Sequence, residues 1–449
     1  MLPPARREAP VLTGLTLRSF QSAPLFKKIA TRYARNFMEK NVTHLIIGGG
    51  VAGTTSAQTI RQNDAVGTIA IVSEEPHRLY SRVMLSKPNF FLEKTPFDRV
   101  WLKSEEWYSE NRVELISGRK AVRLDALGKT VSLDNGDNLR YEKLLLAIGG
   151  RARAWGIQDS GRQGVFYLRT LDDARAIMAA VKSSQQAAAI GGGFVSFEMC
   201  DMLRMAGIEV TLIIRESHYW EPMLDETSGK LIEAALKKGG VKILKKSEVS
   251  RVAGEETVRG VVLADGTEIP CQMIIVGIGA LCPLEWVKQA GVGVNRGVLA
   301  NEYLETNIQD IWTAGDAAEF NDSILGERIQ LGNWVNAQMQ GRTAGLNMTG
   351  KKEPFRLVSF YTTQGFGITI AFAGDVRPGG AKAIFARGSF ESGSYGRIMA
   401  RDGEIIGATL INRTHELSAV SKLIEKDFKA VGHEKELTDG NFDLKNLLR

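Results

Sequence analysis

The sequence predicts an α/β fold with two doubly wound units, each built on a parallel sheet, followed by a small α+β region. Three observations predict this fold. Residues 43–53 are an apolar run that breaks abruptly into glycines, a pattern typical of a strand, a tight turn and the start of a helix. The pattern returns at residues 188–196, and about the last hundred residues change to aromatic and β-branched runs.

The first glycine turn matches a dinucleotide-binding fingerprint. Gly48, Gly50 and Gly53 have the spacing G-x-G-x-x-G, in which small residues let the backbone approach a pyrophosphate at the positive end of the following helix. Glu74 ends the next apolar run, where the fingerprint places an acid that accepts hydrogen bonds from an adenosine ribose. Together the two features favour a Rossmann-like nucleotide site over a glycine-rich structural turn.

The first unit has a second copy later in the chain. Between residues 42 and about 161, strands alternate with helical stretches, and a hairpin signal at 131–136 precedes a buried strand at 141–150. A matching hairpin signal and strand follow at 261–266 and 274–280, and Ser196 replaces the third glycine of the second turn. Two copies imply two dinucleotides, and the simplest enzyme with two such sites passes electrons between a flavin and a nicotinamide.

The region after the second copy adds one carboxylate and a smaller sheet. Residues 306–319 indicate a buried strand that ends in glycine. Asp316 directly follows that glycine, and it is either a ligand-binding carboxylate or an ordinary helix N-cap. Residues 325–350 predict a long helix. Strands at 360–363 and 366–372, a hairpin at 401–404 and a helix from 416 to 428 then predict an interface or lid domain.

Charge is concentrated at the start of the chain. Residues 1–40 hold eight Lys and Arg against two Glu, which accounts for the whole formal charge of +6. The body therefore gives no electrostatic case for binding nucleic acid or membranes. We expect residues 1–41 to be a disordered basic extension or to precede a true start at Met38, and rank both above a transit-like amphipathic helix.

Cysteine and histidine usage excludes several kinds of site. Cys200, Cys271 and Cys282 are isolated, which argues against structural disulfides and zinc and favours the cytosol over organelle import through residues 1–37. The five histidines are too scattered to predict a metal site. No apolar run approaches the roughly 18 residues of a membrane span. A monomer and a homodimer both fit the sequence.

The motifs together resemble a known family. The run at 73–87, the two glycine turns, residues 313–316 and residues 341–350 are similar to the flavoprotein reductases with two dinucleotide-binding domains. Within them the chain resembles the branch of ferredoxin, rubredoxin and nitrite reductases and apoptosis-inducing factor. The resemblance implies an NAD(P)-binding domain at 161–287 inserted into an FAD-binding domain at 42–160 and 288–350, with 351–449 as an interface domain.

The resemblance also implies roles for individual side chains. Glu74 is expected to hold the flavin-adenosine ribose, Arg82 to neutralise the FAD pyrophosphate and Asp316 to bind the ribityl chain. Lys87 is expected near flavin N5, paired with Glu198, where it stabilises the negative charge of reduced flavin. Phe194 is expected to lie over the isoalloxazine until nicotinamide displaces it. The remaining cofactor contacts are expected from Gly48, Gly50, Val51, Ala52, Gly53, Ala147, Gly149, Gly191, Gly193, Val195, Gly279 and Gly315.

The second unit bears on the choice of nicotinamide. Its second strand ends at Arg215 and Glu216, 19 and 20 positions after Ser196. An arginine there pairs with the 2′-phosphate of NADPH, whereas an acid binds the 2′-hydroxyl of NADH. The alignment places Arg215 at the purine-ribose position and therefore favours NADPH. Because Glu216 is the next residue, NADH is left as the alternative cofactor.

The sequence thus predicts an FAD-dependent NAD(P)H reductase that passes electrons to a rubredoxin or ferredoxin. The chain has no cysteine before Cys200, which excludes the redox cysteines of the disulfide and peroxide reductases with this fold. Ile148, Val83 and Met84 depart from the family pattern, and the tryptophan-rich C-terminal signature of oxygenase-coupled reductases is missing. The acceptor is left open. The alternatives are an oxidase or diaphorase using oxygen or quinone, and a redox-sensing binding protein.

Overall fold

A computed structural model describes residues 39–449 of the protein. The predicted extension therefore lies outside the described residues, apart from its last three. Those three belong to the first strand, because Glu39, Lys40 and Asn41 pair with residues 138–140. The strand begins three residues earlier than the sequence predicted.

The first sheet has a parallel core with the first strand at its centre. The first strand pairs in parallel with the strands on both sides of it, and Ile311–Thr313 pairs in parallel with Asn138–Leu146. Across the sheet the strands are Val113–Ser117, Ile69–Ser73, Glu39–Ile47, Asn138–Leu146, Thr130–Leu133 and Ala121–Asp125. The predicted hairpin at 131–136 is present, and Gly136 makes its turn with a φ of +93°.

The second sheet repeats this arrangement in the middle of the chain. Its five parallel strands are, in order, Val241–Leu244, Glu209–Ile213, Gln186–Ile190, Met273–Val276 and Val165–Phe166. A three-stranded antiparallel sheet consists of Val249–Gly254, Val258–Leu263 and Glu268–Pro270. Where the chain enters and leaves this region, Arg151–Ala152 pairs with Ala280–Leu281. The second sheet thus lies, in sequence, between strands of the first.

Helices cover both sheets. The longer ones, in chain order, are Val51–Asn63, Leu171–Val181, Phe194–Met205, Glu226–Lys238, Trp334–Met348 and Leu417–Glu425. Shorter α-helices are Pro88–Phe91, Glu105–Glu110, Glu285–Lys288 and Glu434–Thr438. Short 3₁₀ turns are Arg82–Met84, Phe97–Val100, Gly315–Ala317, Thr414–Glu416 and Leu444–Leu448.

The helix expected at 325–350 is shorter than the sequence predicted. Glu327–Gln330 is a strand that pairs with Ala318–Asp322, and Val298–Ala300 completes this small sheet. The helix begins only at Trp334, because the Asn333 side chain accepts a hydrogen bond from Asn336 N at 2.8 Å. The sequence analysis missed the strand 327–330, because its mostly polar residues are as typical of an exposed helix as of a strand.

That helix packs closely on the first glycine-turn helix. A Cβ added at Gly341 lies 2.2 Å from the carbonyl oxygen of Ala52, and one at Gly345 lies 2.9 Å from that of Ser56. Larger residues at these two positions force the helices apart, since such distances are far below normal contact. The glycines of the 341–350 motif thus fix the helix that borders the first turn.

The C-terminal region is an antiparallel sheet with a helix on one face. Its strands are Phe360–Gly365, Ile368–Gly374, Glu404–Ile411, Ser394–Arg401 and Ala383–Ser389. Phe366 and Gly367, expected in a strand, form the turn of the first hairpin with φ values of +50° and +74°. The predicted turn at Asp402 and Gly403 is present, and the predicted helix 416–428 runs from Leu417 to Glu425.

Candidate active site

A single cavity of about 1430 Å³ connects the three parts of the described chain. The predicted residues that line it are Gly48, Gly50, Val51, Ala52, Glu74, Arg82, Lys87, Ala147, Gly149, Phe194, Val195, Glu198, Gly315 and Asp316. The predicted residues outside its lining are Gly53, Gly191, Gly193, Arg215, Glu216 and Gly279. Most of the predicted residues in the lining therefore come from the first unit.

Two of the first turn's glycines are required by close backbone packing. Gly48 has a φ of +121°, and a Cβ there lies 2.0 Å from the carbonyl oxygen of Ala147. A Cβ at Gly53 lies 2.0 Å from the carbonyl oxygen of Gly48. Gly50 has no atom within 4 Å of its added Cβ and borders the cavity. The turn is thus packed on one side and open on the other.

The helix that follows this turn begins without a side-chain cap. Gly50 occupies its N-cap position, and no acidic residue lies in its first turn. The helices at Leu171, Glu226 and Trp334 differ, since each is capped by a side chain, from Thr170, Asp225 and Asn333 respectively. Free backbone N–H groups beside Val51 and Ala52 at the cavity wall suit an anion such as the pyrophosphate of FAD.

Arginines pair with the two carboxylates predicted to bind the flavin nucleotide. Arg151 forms an ion pair with Glu74, and Arg169 Nη2 lies 2.9 Å from Asp316 Oδ2. Both arginines line the cavity and were missed by the sequence analysis. Arg151 directly follows the glycine-ended strand, but Arg169 lies 147 positions from its partner and has no local motif.

Arg82 is held by a second group of polar contacts. Its Nη2 lies 2.7 Å from Glu75 Oε1, and its Nη1 donates to the carbonyl oxygen of Arg169. Burial acts to lower the pKa of Arg82, but Tyr80 and Glu75 outweigh it, and the pKa is raised above its ordinary value. The cavity wall therefore includes a cation held in place by its neighbours, and its role at a pyrophosphate stays a prediction.

Lys87 and Glu198 meet although they lie 111 positions apart. Lys87 precedes the short helix Pro88–Phe91, and Glu198 lies in the first turns of Phe194–Met205. The two side chains form an ion pair at the cavity wall. Ser86 Oγ also donates to this carboxylate, and Thr363 Oγ1 donates to Glu198 Oε1 at 2.6 Å. The predicted pair is thus present, with two hydroxyl donors that the sequence did not indicate.

Phe194 is enclosed by three other aromatic rings. Its ring centroid lies 4.2 Å from that of Trp220, 4.5 Å from Tyr361 and 5.6 Å from Phe372. Tyr361 and Phe372 are stacked on each other, 4.7 Å apart. All four rings line the cavity. The sequence indicated a strand of aromatic residues here but not that its rings would meet Phe194.

The second glycine turn packs on the adjoining strand as the first does, but its glycines lie outside the lining of the cavity. Gly191 has a φ of +97°, and its added Cβ lies 2.6 Å from the carbonyl oxygen of Gly277. Tyr219 Oη donates to the carbonyl oxygen of Gly193 at 2.7 Å. Arg215 is exposed and Glu216 half-buried at the carboxyl end of the second strand. Gly279, with a φ of +100°, directly precedes Ala280–Leu281, the strand through which the chain leaves the second unit.

The three cysteines, all described, are free. Cys200 and Cys271 are buried, and burial raises the pKa of both thiols, that of Cys271 to about 12. Cys282 lies near the site, with Sγ 3.4 Å from the carbonyl oxygen of Asp316, and burial raises its pKa as well. Raised pKa values leave all three as unreactive thiols at neutral pH.

Within residues 39–449, no helix is long and apolar enough to cross a membrane.

Comparisons with known proteins show which family and fold this chain is similar to. The model of the pyridine nucleotide-disulphide oxidoreductase family matches residues 42–341. A ferredoxin–NAD(+) reductase component of the biphenyl dioxygenase system of Paraburkholderia xenovorans is 30% identical over 91% of this chain and 98% of its own length.

Solved structures extend the likeness to the whole fold. A ferredoxin reductase for the CYP199A2 system from Rhodopseudomonas palustris has a TM-score of 0.84 at 26% identity, covering 90% of this chain and 99% of its own. A putidaredoxin reductase in covalent complex with putidaredoxin, 24% identical, has the same fold with a TM-score of 0.85, covering 91% and 98%. The predicted fold class of two Rossmann-like domains and a small α+β domain is confirmed.

Proposed function

Because the chain belongs to the pyridine nucleotide-disulphide oxidoreductase family and is an FAD-dependent NAD(P)H reductase, we propose that it passes electrons to a small ferredoxin or rubredoxin. The predicted family and enzyme class are confirmed. The cavity carries the proposal, since one continuous space borders the uncapped helix, the Lys87–Glu198 pair and the Phe194 cluster. A hydride donor and a flavin need such a shared space, because transfer requires direct contact of the reacting atoms.

We assign the flavin side of the cavity to the first unit. Gly50, Val51 and Ala52 would face the pyrophosphate with backbone N–H groups, and Arg82 would supply the opposite charge. Glu74 and Asp316 would bind the ribose and the ribityl chain, with Arg151 and Arg169 orienting their carboxylates. Bound FAD supplies the conversion of one hydride into two single electrons.

The nicotinamide side is assigned to Phe194, Lys87 and Glu198. The Lys87 ammonium would stabilise negative charge on the flavin side, and Glu198 keeps that ammonium in place. Phe194 would occupy the position that the nicotinamide ring takes, so binding of the nucleotide requires the ring to leave its aromatic neighbours. The domain division proposed from the sequence, with 161–287 inserted between 42–160 and 288–350 and followed by 351–449, fits these assignments.

We propose NADPH as the preferred donor. Arg215 is exposed at the carboxyl end of the second strand, where the purine ribose of a bound dinucleotide lies in this class of fold. An exposed guanidinium can pair with a 2′-phosphate through two parallel hydrogen bonds. Glu216 is the residue that would favour NADH instead, and the relatives' names include both NAD(+) and NAD(P).

Steady-state electron transfer tests the proposal. The FAD-loaded protein is mixed with NADPH and either a [2Fe–2S] ferredoxin or a rubredoxin, and carrier reduction is followed by absorbance. In parallel, peroxide formation is measured with oxygen as the acceptor. The proposal predicts carrier reduction much faster than peroxide formation. Faster peroxide or quinone reduction would identify an oxidase or diaphorase, and negligible turnover with a stable reduced complex would identify a redox sensor.

A further inference from the structure

The Glu198 carboxylate receives hydrogen bonds from three separate parts of the chain. Lys87 Nζ and Thr363 Oγ1 both donate to Oε1, and Ser86 Oγ donates to Oε2. Thr363 is 4% exposed and the Glu198 side chain 14%, so water cannot readily replace a lost donor. Together these four side chains form the Glu198 cluster.

The donors differ in how they are attached. Ser86 and Lys87 are neighbours in one loop, so a movement of that loop displaces both donors together. Thr363 belongs instead to the strand Phe360–Gly365 of the C-terminal sheet. Its hydroxyl is therefore the contact in the cluster that fixes the carboxylate relative to a separate structural element.

The strand that carries Thr363 is itself docked on the helix that carries Glu198. Phe366 N donates to Asp201 Oδ1 at 3.0 Å, and the Phe366 and Phe197 ring centroids are 5.8 Å apart. Gly365 permits this approach, since an added Cβ lies 3.0 Å from the Phe197 ring. Asp201, Phe197 and Glu198 all lie on the helix Phe194–Met205. The hairpin thus follows that helix in a defined register.

We propose that Thr363 is a positioning residue, which acts through Glu198 to hold the Lys87 ammonium in the orientation that hydride transfer requires. The inference rests on the proposed function, because it assigns the C-terminal sheet a part in the same site. A carboxylate can rotate about its side-chain torsions, and only a donor from outside the Lys87 loop fixes its position relative to that loop. Without the Thr363 hydroxyl, Glu198 and Lys87 can move together away from the flavin side.

Valine and serine at position 363 separate the hydroxyl from the shape of the side chain. Thr363→Val keeps the volume and removes the donor, whereas Thr363→Ser keeps the donor. Thr369→Val is the matched control, because Thr369 lies in the same hairpin but pairs with Gln364, one position away from Thr363, and so projects from the other face of the sheet. Each protein is examined for flavin reduction by NADPH, thermal unfolding and the midpoint potential of bound FAD from titration with dithionite.

The inference predicts a specific combination of results. Thr363→Val slows flavin reduction at saturating NADPH about tenfold, as expected for one hydrogen bond to a charged group, with an unchanged half-saturating concentration. It also lowers the midpoint potential, because a displaced ammonium stabilises reduced flavin less. Thr363→Ser restores both values, and Thr369→Val matches the wild type. In a Glu198→Ala background, Thr363→Val has no further effect on rate or potential.

Other results would overturn the inference that Thr363 positions Glu198 and Lys87. If Thr363→Val lowers only the unfolding temperature and leaves rate and potential unchanged, Thr363 is purely structural. An effect that persists undiminished beside Glu198→Ala also contradicts action through Glu198. If the valine variant does not fold, Thr363→Ala provides the second test, because it also removes the hydroxyl, and it must lower the potential in the same direction. A wild type that neither nicotinamide reduces contradicts the proposed function instead, and the dithionite titration still decides the role of Thr363.

Discussion

The two glycine turns have nearly the same sequence pattern but different surroundings. The first opens into a large cavity, where Glu74, Asp316 and Arg82 are each paired with an opposite charge. The second lies outside the lining of that cavity, and Arg215 beside it is exposed to solvent. The difference supports the proposal of a resident flavin nucleotide in the first unit and an exchanging nicotinamide nucleotide in the second. A local motif therefore predicts the kind of ligand but not the surroundings of its site.

Neighbouring elements create this difference. The helix Trp334–Met348 lies against the first turn's helix through Gly341 and Gly345, and thus adds a wall to the first site. At the second unit, Phe194 and its ring partners occupy space at the start of the helix. An exchanging ligand can displace a ring held by aromatic contacts of about 0.5–1.5 kcal/mol each.

The largest effect is expected when the first turn is altered. Gly48→Ala should destabilise the fold by at least about 2 kcal/mol, because a positive φ is costly for alanine and its Cβ meets the Ala147 carbonyl. The variant should also purify without bound FAD. Gly50→Ala is the control for folding, since its added Cβ meets no atom within 4 Å. Thermal unfolding and flavin absorbance check both variants, and a yellow Gly48→Ala protein of normal stability would contradict the account.

Removing the Lys87 ammonium tests the contact between the two units. Lys87→Met should slow flavin reduction about a hundredfold, the usual cost of removing one preorganised charge-stabilising group. Binding of FAD should be retained, because Lys87 is assigned to the nicotinamide side. Lys94→Met changes an exposed lysine of the same segment and should leave the rate unchanged. Stopped-flow absorbance measures the rate of flavin reduction. Equal rates for the two variants would show that the Lys87 ammonium does not contribute to that reaction.

A change at the exposed end of the second unit should alter nucleotide preference alone. Arg215→Gln should lower kcat/KM for NADPH about tenfold to a hundredfold through loss of a charge-assisted contact, with little change for NADH. Arg259→Gln, an exposed arginine on the neighbouring antiparallel sheet, is the matched control. Steady-state kinetics with both nucleotides decide the point. An unchanged ratio of kcat/KM for NADPH to that for NADH would contradict the assignment of Arg215, and a wild type that prefers NADH would favour Glu216 instead.

The smallest expected effect concerns pH. Burial raises the pKa of Asp201 and Glu198 adds to the rise, whereas the Phe366 N–H and Lys87 oppose it. A carboxyl with a raised pKa in the folded state holds its proton longer there than in the unfolded chain, so stability falls as pH rises through that range.

Replacing Asp201 should remove this part of the pH dependence. Asp201→Asn should be more stable than the wild type above the raised pKa, by less than about 1 kcal/mol. The asparagine oxygen can still accept from Phe366 N. Urea unfolding at several pH values from acidic to neutral checks the result, and a parallel pH dependence in both proteins would contradict the assignment.

Local signals predicted the parts of the fold that depend on local conformation. The glycine turns, the hairpin turns at Gly136 and Gly403 and the strand before Asp316 all require glycine or a periodic apolar run, which the sequence displays directly. The strand Glu327–Gln330 escaped because its place depends on pairing with Ala318–Asp322.

The missed parts of the site depend on contacts between distant segments. Arg169 meets Asp316 and Thr363 meets Glu198 across more than 140 positions, and neither belongs to a motif. The Lys87–Glu198 pair also joins distant segments, 111 positions apart, and it was predicted only because the chain resembles a family in which both positions are recognised.

Anaerobic reduction of the FAD-loaded protein tests the central claim most directly. NADPH and, separately, NADH are mixed with the protein by stopped flow, and the loss of flavin absorbance is recorded. The account predicts rapid bleaching by a nicotinamide, faster with NADPH, together with retention of FAD when the nucleotide is removed by gel filtration. If neither nucleotide reduced the flavin, or if FAD left as readily as the nucleotide, the division into a resident and an exchanging site would be wrong.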